Sequence, residues 1–560
     1  MKKVFILILI FVNFFSIAVS ASERETNENI DNYLSNFSFD EIFELQKKAG
    51  NNFDDWFLFS ILRSEKELDI NLYKGLLRHY ISDNYEKYGY LNKNLMTEWH
   101  RLIMLSVSVG LNPSEITLNN FSYDLLFDGI YNTKQSESLE KQGINSFVFA
   151  LMALDSFAFE EINDDLFHSR KSLIENILSY EIPGGGFAFS KDEPDIDMSA
   201  LVVQALSEYY NSLIVYNVYN KLQDRNIETT VKDVIDRVLL LFSSLQKPDG
   251  DFESYGIGNA ESTAQVLISL TSLGIDIDTD ERFIKNDKTV LDGIIKYQNK
   301  DGTFRRNDKT NKISGYQAFM GLVAYDRFVN KKRSIYDLKP EIDSKLKEEI
   351  NSLIFAIKDA DNLSISGLEQ LLLRYKLIPG SERNYVYNFS HLYNNLTMNN
   401  IEVVIEEAYN DNLVIVNEEI SVTKEDINNI VKLVKNPKIE NFYEMVYYQE
   451  KIRFSNIDGN TKIRLDEKIN IIKEEKNKVL VLNELIEDYL REEDEIQKEA
   501  IIDLYKDLLK DSKKHIILYE EVNPSNFFNE RNLIIGFLLI ALISVFSIFT
   551  LRIIKRKRNK

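Results

Sequence analysis

Carboxylates carry most of the chemistry available to this chain. It has 88 acidic residues against 67 lysines and arginines, five histidines and no cysteine. The missing thiol excludes disulfides, lipoprotein acylation, thiolate zinc, a thioester and a cysteine nucleophile together. The best placed acids are Asp195 and Asp197, one residue apart and just ahead of the apolar run Ala200-Leu201-Val202-Val203-Gln204-Ala205-Leu206. Acids there serve a helix start: Asp197 as N-cap, accepting from backbone amides near Ala200, with Asp195 favoured by the helix dipole. A second acidic stretch, Asp276-Ile277-Asp278-Thr279-Asp280-Glu281, offers alternating oxygens for calcium but lacks the glycine and distal glutamate of an EF-hand loop. Trp56, Trp99, His100 and Tyr316, with the polar Asn145, Glu261 and Gln317, stand at or near the starts of apolar segments, where they would line one mouth of a helical ring and contact a ligand. No Ser/His/Asp triad, phosphate loop or His-Glu-x-x-His occurs, and no metal site is expected.

What must position these residues is a repeat. Six apolar helical segments open near Asp55, Glu98, Asn145, Asp197, Glu261 and Tyr316, at intervals of 43 to 64 residues. Each interval has room for one returning helix and its loops, so each unit reads as a helical hairpin. Runs that are apolar almost all round mark buried helices, which would form an inner ring. The loops repeat too. Gln246-Lys247-Pro248-Asp249-Gly250-Asp251-Phe252 and Gln298-Asn299-Lys300-Asp301-Gly302-Thr303-Phe304 share Gln-x-x-x-Gly-x-Phe. Glu181-Ile182-Pro183-Gly184-Gly185-Gly186-Phe187 has Glu for Gln, and residues 125–131 keep only the Gly-x-aromatic end. The glycine admits a tight turn, the aromatic packs back on the helices, and the Gln ties loop backbone to helix.

These Gln-x-x-x-Gly-x-aromatic loops before apolar helices resemble the repeat of the prenyltransferase/squalene cyclase superfamily, whose members share an (α/α)6 toroid. The resemblance covers roughly residues 45–330. It implies several functions, and most fail on residues. Prenyltransferase zinc sites need a cysteine, and complement-type domains a thioester cysteine; neither is present. Class II terpene cyclases carry Asp-x-Asp-Asp at the head of an inner helix, its middle acid protonating an alkene. The matching stretch here is Asp195-Ile196-Asp197-Met198. The resemblance thus implies Asp197 as general acid and Asp195 as its neighbour, with the third carboxylate replaced by Met198. Cyclases of this class generally use two toroids, whereas one is expected here. Transcobalamin-type carriers have one toroid followed by a small β-rich domain, and that order of parts makes a corrinoid the only cofactor suggested, by analogy alone.

Residues 340–378 read as helical, and five later segments read as strands by alternation and β-branching: 401–405, 413–416, 451–454, 461–465 and 479–482, with Asp458-Gly459-Asn460 as a hairpin turn. At the ends, Met1-Lys2-Lys3, an apolar run and Ala18-Val19-Ser20-Ala21 read as a signal peptide over residues 1–21. Residues 533–551 are uncharged and precede Arg552, Lys555, Arg556, Lys557, Arg558 and Lys560. That is a stop-transfer helix with a cytoplasmic basic tail over residues 552–560. The formal charge of −21 disfavours nucleic acid. The expectation is a mainly α, single-pass cell-membrane protein with its N-terminal part outside. A toroid over residues 22–335 would bind a small molecule or surface partner, a membrane-proximal α+β region would cover 336–530, and a terpene-cyclase-like enzyme is the alternative.

Overall fold

The computed structural model describes residues 26–523 apart from 67, 93, 137, 190–192, 255, 406–414, 416–420, 454, 456 and 493–494. The chain divides into two compact units, residues 1–418 and 419–560, and is mainly helical in both.

In the first unit, α1 spans residues 26–34, α2 Phe39–Gln46, α3 Asn52–Arg63, α4 Ile70–Tyr88, α5 Met96–Ser108, α6 Thr133–Ser136, α7 Ile144–Asp155, α8 Arg170–Leu178, α9 Ile196–Leu206, α10 Val231–Leu245, α11 Ala260–Ser272, α12 Val290–Ile295 and α13 Lys312–Val329. Helices α3, α5, α7, α9, α11 and α13 begin close to the six sequence markers. Each packs on the next, and α13 packs back on α3, so the contacts close into a circuit. Burial on almost every side explains this, because such helices need neighbours on both flanks. The remaining helices form a second set, with α8 on α7, α10 on α9 and α12 on α11. The burial of α10 is one-sided: it buries Val234, Ile235, Val238, Leu239 and Phe242 while Leu240 and Leu245 stay exposed. Helix α1, which no repeat signal marks, joins α13 through the Tyr33 ring, 5.4 Å from Phe319 and 5.7 Å from Phe304.

Strands occur only as two-stranded antiparallel hairpins between helices among the described residues. The longest pairs Val215–Asn220 with Arg225–Thr230, Val215 opposite Thr230, and alternates exposed and buried residues. Shorter ones, Phe252–Ser254 with Ile257–Asn259 and Arg305–Arg306 with Lys309–Thr310, lead from the two glutamine loops into α11 and α13. Residues 125–131 form no such loop; Phe127–Tyr131 is a π-helical turn, with Gly129 against Trp99.

At the C-terminal ends of α3 and α7 the chain crosses over the circuit. Leu338 N–H donates to the Ser156 carbonyl at 2.7 Å, and Arg63 donates to the carbonyls of Ser334 and Asp337 at 2.9 Å. The Tyr336 ring lies 6.0 Å from Phe59 and 6.2 Å from Trp56. Helices α14 (Ser344–Ile357), α15 (Ile365–Leu377) and α16 (Phe389–Met398) then build a small core around Leu353, Leu368 and Leu392, still within the first unit.

The expected α+β character after residue 336 is corrected: the described residues 336–523 contain no strand. Residues 401–405 have no regular structure, and 413–416 lie outside the described residues except Ile415. The second unit contains α17 (Lys424–Lys435), α18 (Phe442–Ile452), α19 (Gly459–Glu492), α20 (Glu495–Asp507) and α21 (Tyr519–Val522). Segments 461–465 and 479–482 belong to α19, and Lys451 and Ile452 to α18. Across α19, Leu465, Ile469, Ile472, Val479, Leu482 and Ile486 are buried at steps of three, four or seven, a helical period that outweighs the short β-branched windows. Asp458 makes no hairpin turn. It caps α19, accepting from Thr461 N–H at 3.1 Å and from its hydroxyl at 2.6 Å. With those strands gone, the transcobalamin-like order of parts loses its second element. No helix among the described residues is long and apolar enough to cross a membrane; residues 1–21 and 533–551 lie outside them.

Candidate functional site

Asp195, not Asp197, caps α9: its carboxylate accepts from Met198 N–H at 2.8 Å. Asp197 stands in the first turn with one oxygen buried and unpartnered. Burial first, then the charges of Asp195 and Glu261, push its carboxyl up to about 6, against a Ser262 hydrogen bond and Arg306. Glu261 occupies the first turn of α11 and is 8% exposed. One of its oxygens accepts from the Ser314 hydroxyl at 2.6 Å, with Arg306 at 3.5 Å; the other is buried without a partner. On α3, Asp54 accepts from Lys312 at 2.9 Å and from the Tyr316 hydroxyl at 3.3 Å. Tyr316 itself is fixed by stacking on Phe57 at 4.1 Å.

One helical turn further in, the polarity changes. Residues four apart share a helix face. Asn145 and Phe149, Asp197 and Leu201, and Glu261 and Gln265 share such faces, while Gln317 stands just past Tyr316 on α13. Except for Glu261 and Tyr316, which are buried, these residues are half-buried on helices otherwise almost wholly buried. Trp56 of α3 and Phe149 of α7 meet at 5.9 Å, although α5 lies between those helices in the circuit. The arrangement is an acidic mouth at the helix N-termini over a layer in which Phe149, Leu201 and Trp56 stand beside the amides Gln265 and Gln317, with Tyr336 against Trp56 from the other end. Such a site can accept N–H or O–H donors at its rim and enclose an apolar body below.

Two expected ligand contacts are core residues instead. Trp99 is buried and donates to the Asn92 carbonyl at 2.8 Å. His100 is fully buried, lies 3.0 Å from the Gly129 carbonyl through Nε2, and is held down at about 4 chiefly by burial. The helix-head acid Glu98 turns outward to Tyr80 and Asn92. Asp54, Ser262, Arg306, Lys312 and Ser314 were missed as site residues. Ser262, Lys312 and Ser314 lie within four residues of Glu261 or Tyr316, a signal local to the helix heads, whereas Arg306 comes from the hairpin ahead of α13.

The glutamine loops act as braces. Gln246 donates to the carbonyls of Gly250 and Phe283 at 3.3 and 2.9 Å, and Gln298 to those of Gly302 and Asn29 at 3.1 and 3.4 Å. Gly250 has φ +90, and a Cβ there would sit 2.0 Å from the Thr289 carbonyl oxygen, so only glycine fits. Phe252 and Phe304 are fully buried. In the third loop Glu181 replaces Gln and binds Arg237 through both oxygens at 2.7 and 2.9 Å. Asp276, Asp278 and Asp280 are committed to their own loop and to Tyr325, and no group of three potential ligands could hold a metal among the described residues.

No family model, curated protein or solved structure matches the chain.

Proposed function

We propose that this chain is a cell-surface, membrane-anchored α/α toroid that binds a ligand in the mouth formed by its helix N-termini. The observation that carries the reading is the pair of carboxylates, Asp197 and Glu261, each with a buried oxygen that no protein group satisfies. Leaving such oxygens unmatched costs about 1–3 kcal/mol apiece, a cost that a ligand's donors recover. The closed circuit of contacts supports the toroid, and the terminal apolar segments support a signal peptide, a single anchor and an external mouth. The ligand class is an amine or polyhydroxylated group attached to an apolar body, matching acids above and Trp56, Phe149 and Leu201 below.

A second reading has one observation in its favour: Asp197 keeps its proton up to about pH 6, as a general acid would. Against it, Asp195 is spent on the helix cap and Met198 is buried, so no second carboxyl next in sequence sharpens Asp197 into the strong acid that alkene protonation needs.

Mass spectrometry of small molecules that copurify with the full chain decides between them. A molecule of that class, retained by the wild type and lost from an Asp197→Asn/Glu261→Gln variant that still melts cooperatively and no less stably than the wild type, supports binding. Retention by the double variant overturns it. Conversion of an added isoprenoid that Asp197→Asn abolishes would establish the enzyme.

A further inference from the structure

At the opposite end of the helices a cavity of about 900 Å³ opens between α12, the last turn of α13 and α14. It is separate from the acidic mouth and within the size range of small-molecule pockets. Its wall is apolar: Leu291 and Ile295 from α12, Phe328 from α13, Ile350 and Ile354 from α14, and Tyr387. Tyr387 lies so close over Gly274 that a Cβ there would meet its ring at 2.0 Å, which fixes the ring as one side of the cavity.

The charges on the rim are unequal in their commitments. Asp278 accepts from Tyr325 at 2.6 Å, Asp276 from Asp278 N–H and Thr279, and Asp292 from Lys288 and the Thr289 backbone. These acids are occupied. Lys331, Lys332 and Lys347 gather at one end; Lys332 pairs with Glu65 at 2.8 Å, but Lys347 reaches only the Asn330 carbonyl at 3.2 Å. Desolvation first, and the charges of Lys331 and Lys332, hold Lys347 below the ordinary lysine range despite Glu341. The cavity thus joins a long apolar wall to a cationic end with unspent attraction for an anion.

We infer that this cavity binds a single-chain amphiphile with an anionic head, the chain along Leu291, Ile295, Phe328 and Ile354 and the head at Lys331 and Lys347. A carboxylate and a phosphate head satisfy the same chemistry.

Photo-crosslinking tests it. The full chain in nanodiscs of zwitterionic lipid is exposed to a long-chain fatty acid, and separately to an alkyl phosphate of the same length, each bearing a diazirine near the chain end. Mass spectrometry then locates the labelled peptides. The label is expected in residues 288–296 and 342–354, competed by the unlabelled anions and about tenfold less well by the alcohol of equal length. Lys331→Gln/Lys347→Gln, a change at the rim that leaves the core intact, should weaken labelling about tenfold. Ile354→Trp, which fills the chain site, should abolish it. The stronger of the two probes identifies the head as a free fatty acid's or a phosphate's. Labelling without enrichment in these peptides, or equal competition by the alcohol or by an alkyl trimethylammonium ion, overturns the inference.

Discussion

Two carboxylates near the starts of circuit helices make an instructive pair. Asp55 on α3 and Asp197 on α9 are both desolvated, and burial is the main cause that pushes each up to about 6. Asp55 is nevertheless fully spent. It accepts from Arg101 at 3.1 Å, from Tyr73 at 2.8 Å and from Gly50 N–H at 3.1 Å, and Arg101 also donates to Asn52 and the Gly50 carbonyl. Asp197 keeps an oxygen unmatched, with Glu261 in the same condition on the next helix of the circuit. Burial alone does not mark a site. The distinction lies in whether the scaffold itself satisfies the buried group, and here one side of the circuit is stapled shut while the other is left open.

The comparison breaks first at Arg101. Arg101→Met leaves the Asp55 carboxylate buried without its cation, and about 4 kcal/mol of stability should be lost in denaturant melts. A loss under 1 kcal/mol would mean the staple is dispensable. Phe252→Ala is the apolar control, removing a fully buried ring and no charge. It should cost about 3 kcal/mol at every pH between 4 and 8.

Asp197→Asn sharpens the contrast because its effect depends on pH. The folded carboxyl holds its proton more tightly than the unfolded chain does. Its stabilising contribution is therefore complete below about 3.8 and disappears as pH rises through about 6. Relative to wild type, the asparagine variant should gain stability between pH 4 and 7, by at most about 3 kcal/mol. Parallel melting curves for the two proteins across that range would refute the strained carboxylate, and a loss at all pH values would restore it to a capping role.

Part of this was legible in the sequence because the relevant signals are periodic. Helices buried on nearly all sides announce themselves, and six of them at hairpin spacing led to α3, α5, α7, α9, α11 and α13. The Gln-x-x-x-Gly-x-Phe loops were legible for the same reason: Gly250 is required by an approach that no side chain permits. What could not be read was rotation about each helix. Asp195 is the extended residue that caps α9 and Asp197 lies inside its first turn, so two acids only two positions apart take different jobs. Trp99, His100 and Asn145 all stand near helix starts, yet only Asn145 stays half-buried on the face it shares with Phe149. Segments 461–465 and 479–482 failed differently, since a five-residue window holds too little of a helical period to outvote β-branched composition.

The smallest expected effect falls on Gln246, which combines both conditions in one side chain. Its amide nitrogen is spent on Gly250 and Phe283, as Asp55 is spent on Arg101, while its carbonyl oxygen is buried and unmatched, as one oxygen of Asp197 is. Truncation to alanine strands two carbonyls but also removes the unsatisfied oxygen, so the two consequences offset. Gln246→Ala should cost about 1 kcal/mol, well below Phe252→Ala although both lie in the same loop. Gln298 donates at longer distance to Asn29 and is only half-buried, so Gln298→Ala should cost no more. Neither change should alter ligand retention, because neither residue lies among the acids of the mouth. Thermal melts of the full-length variants, paired with mass spectrometry of what copurifies, check both parts. Unchanged melting with lost ligand would move the glutamine loops from the open-or-stapled scaffold into the binding site itself.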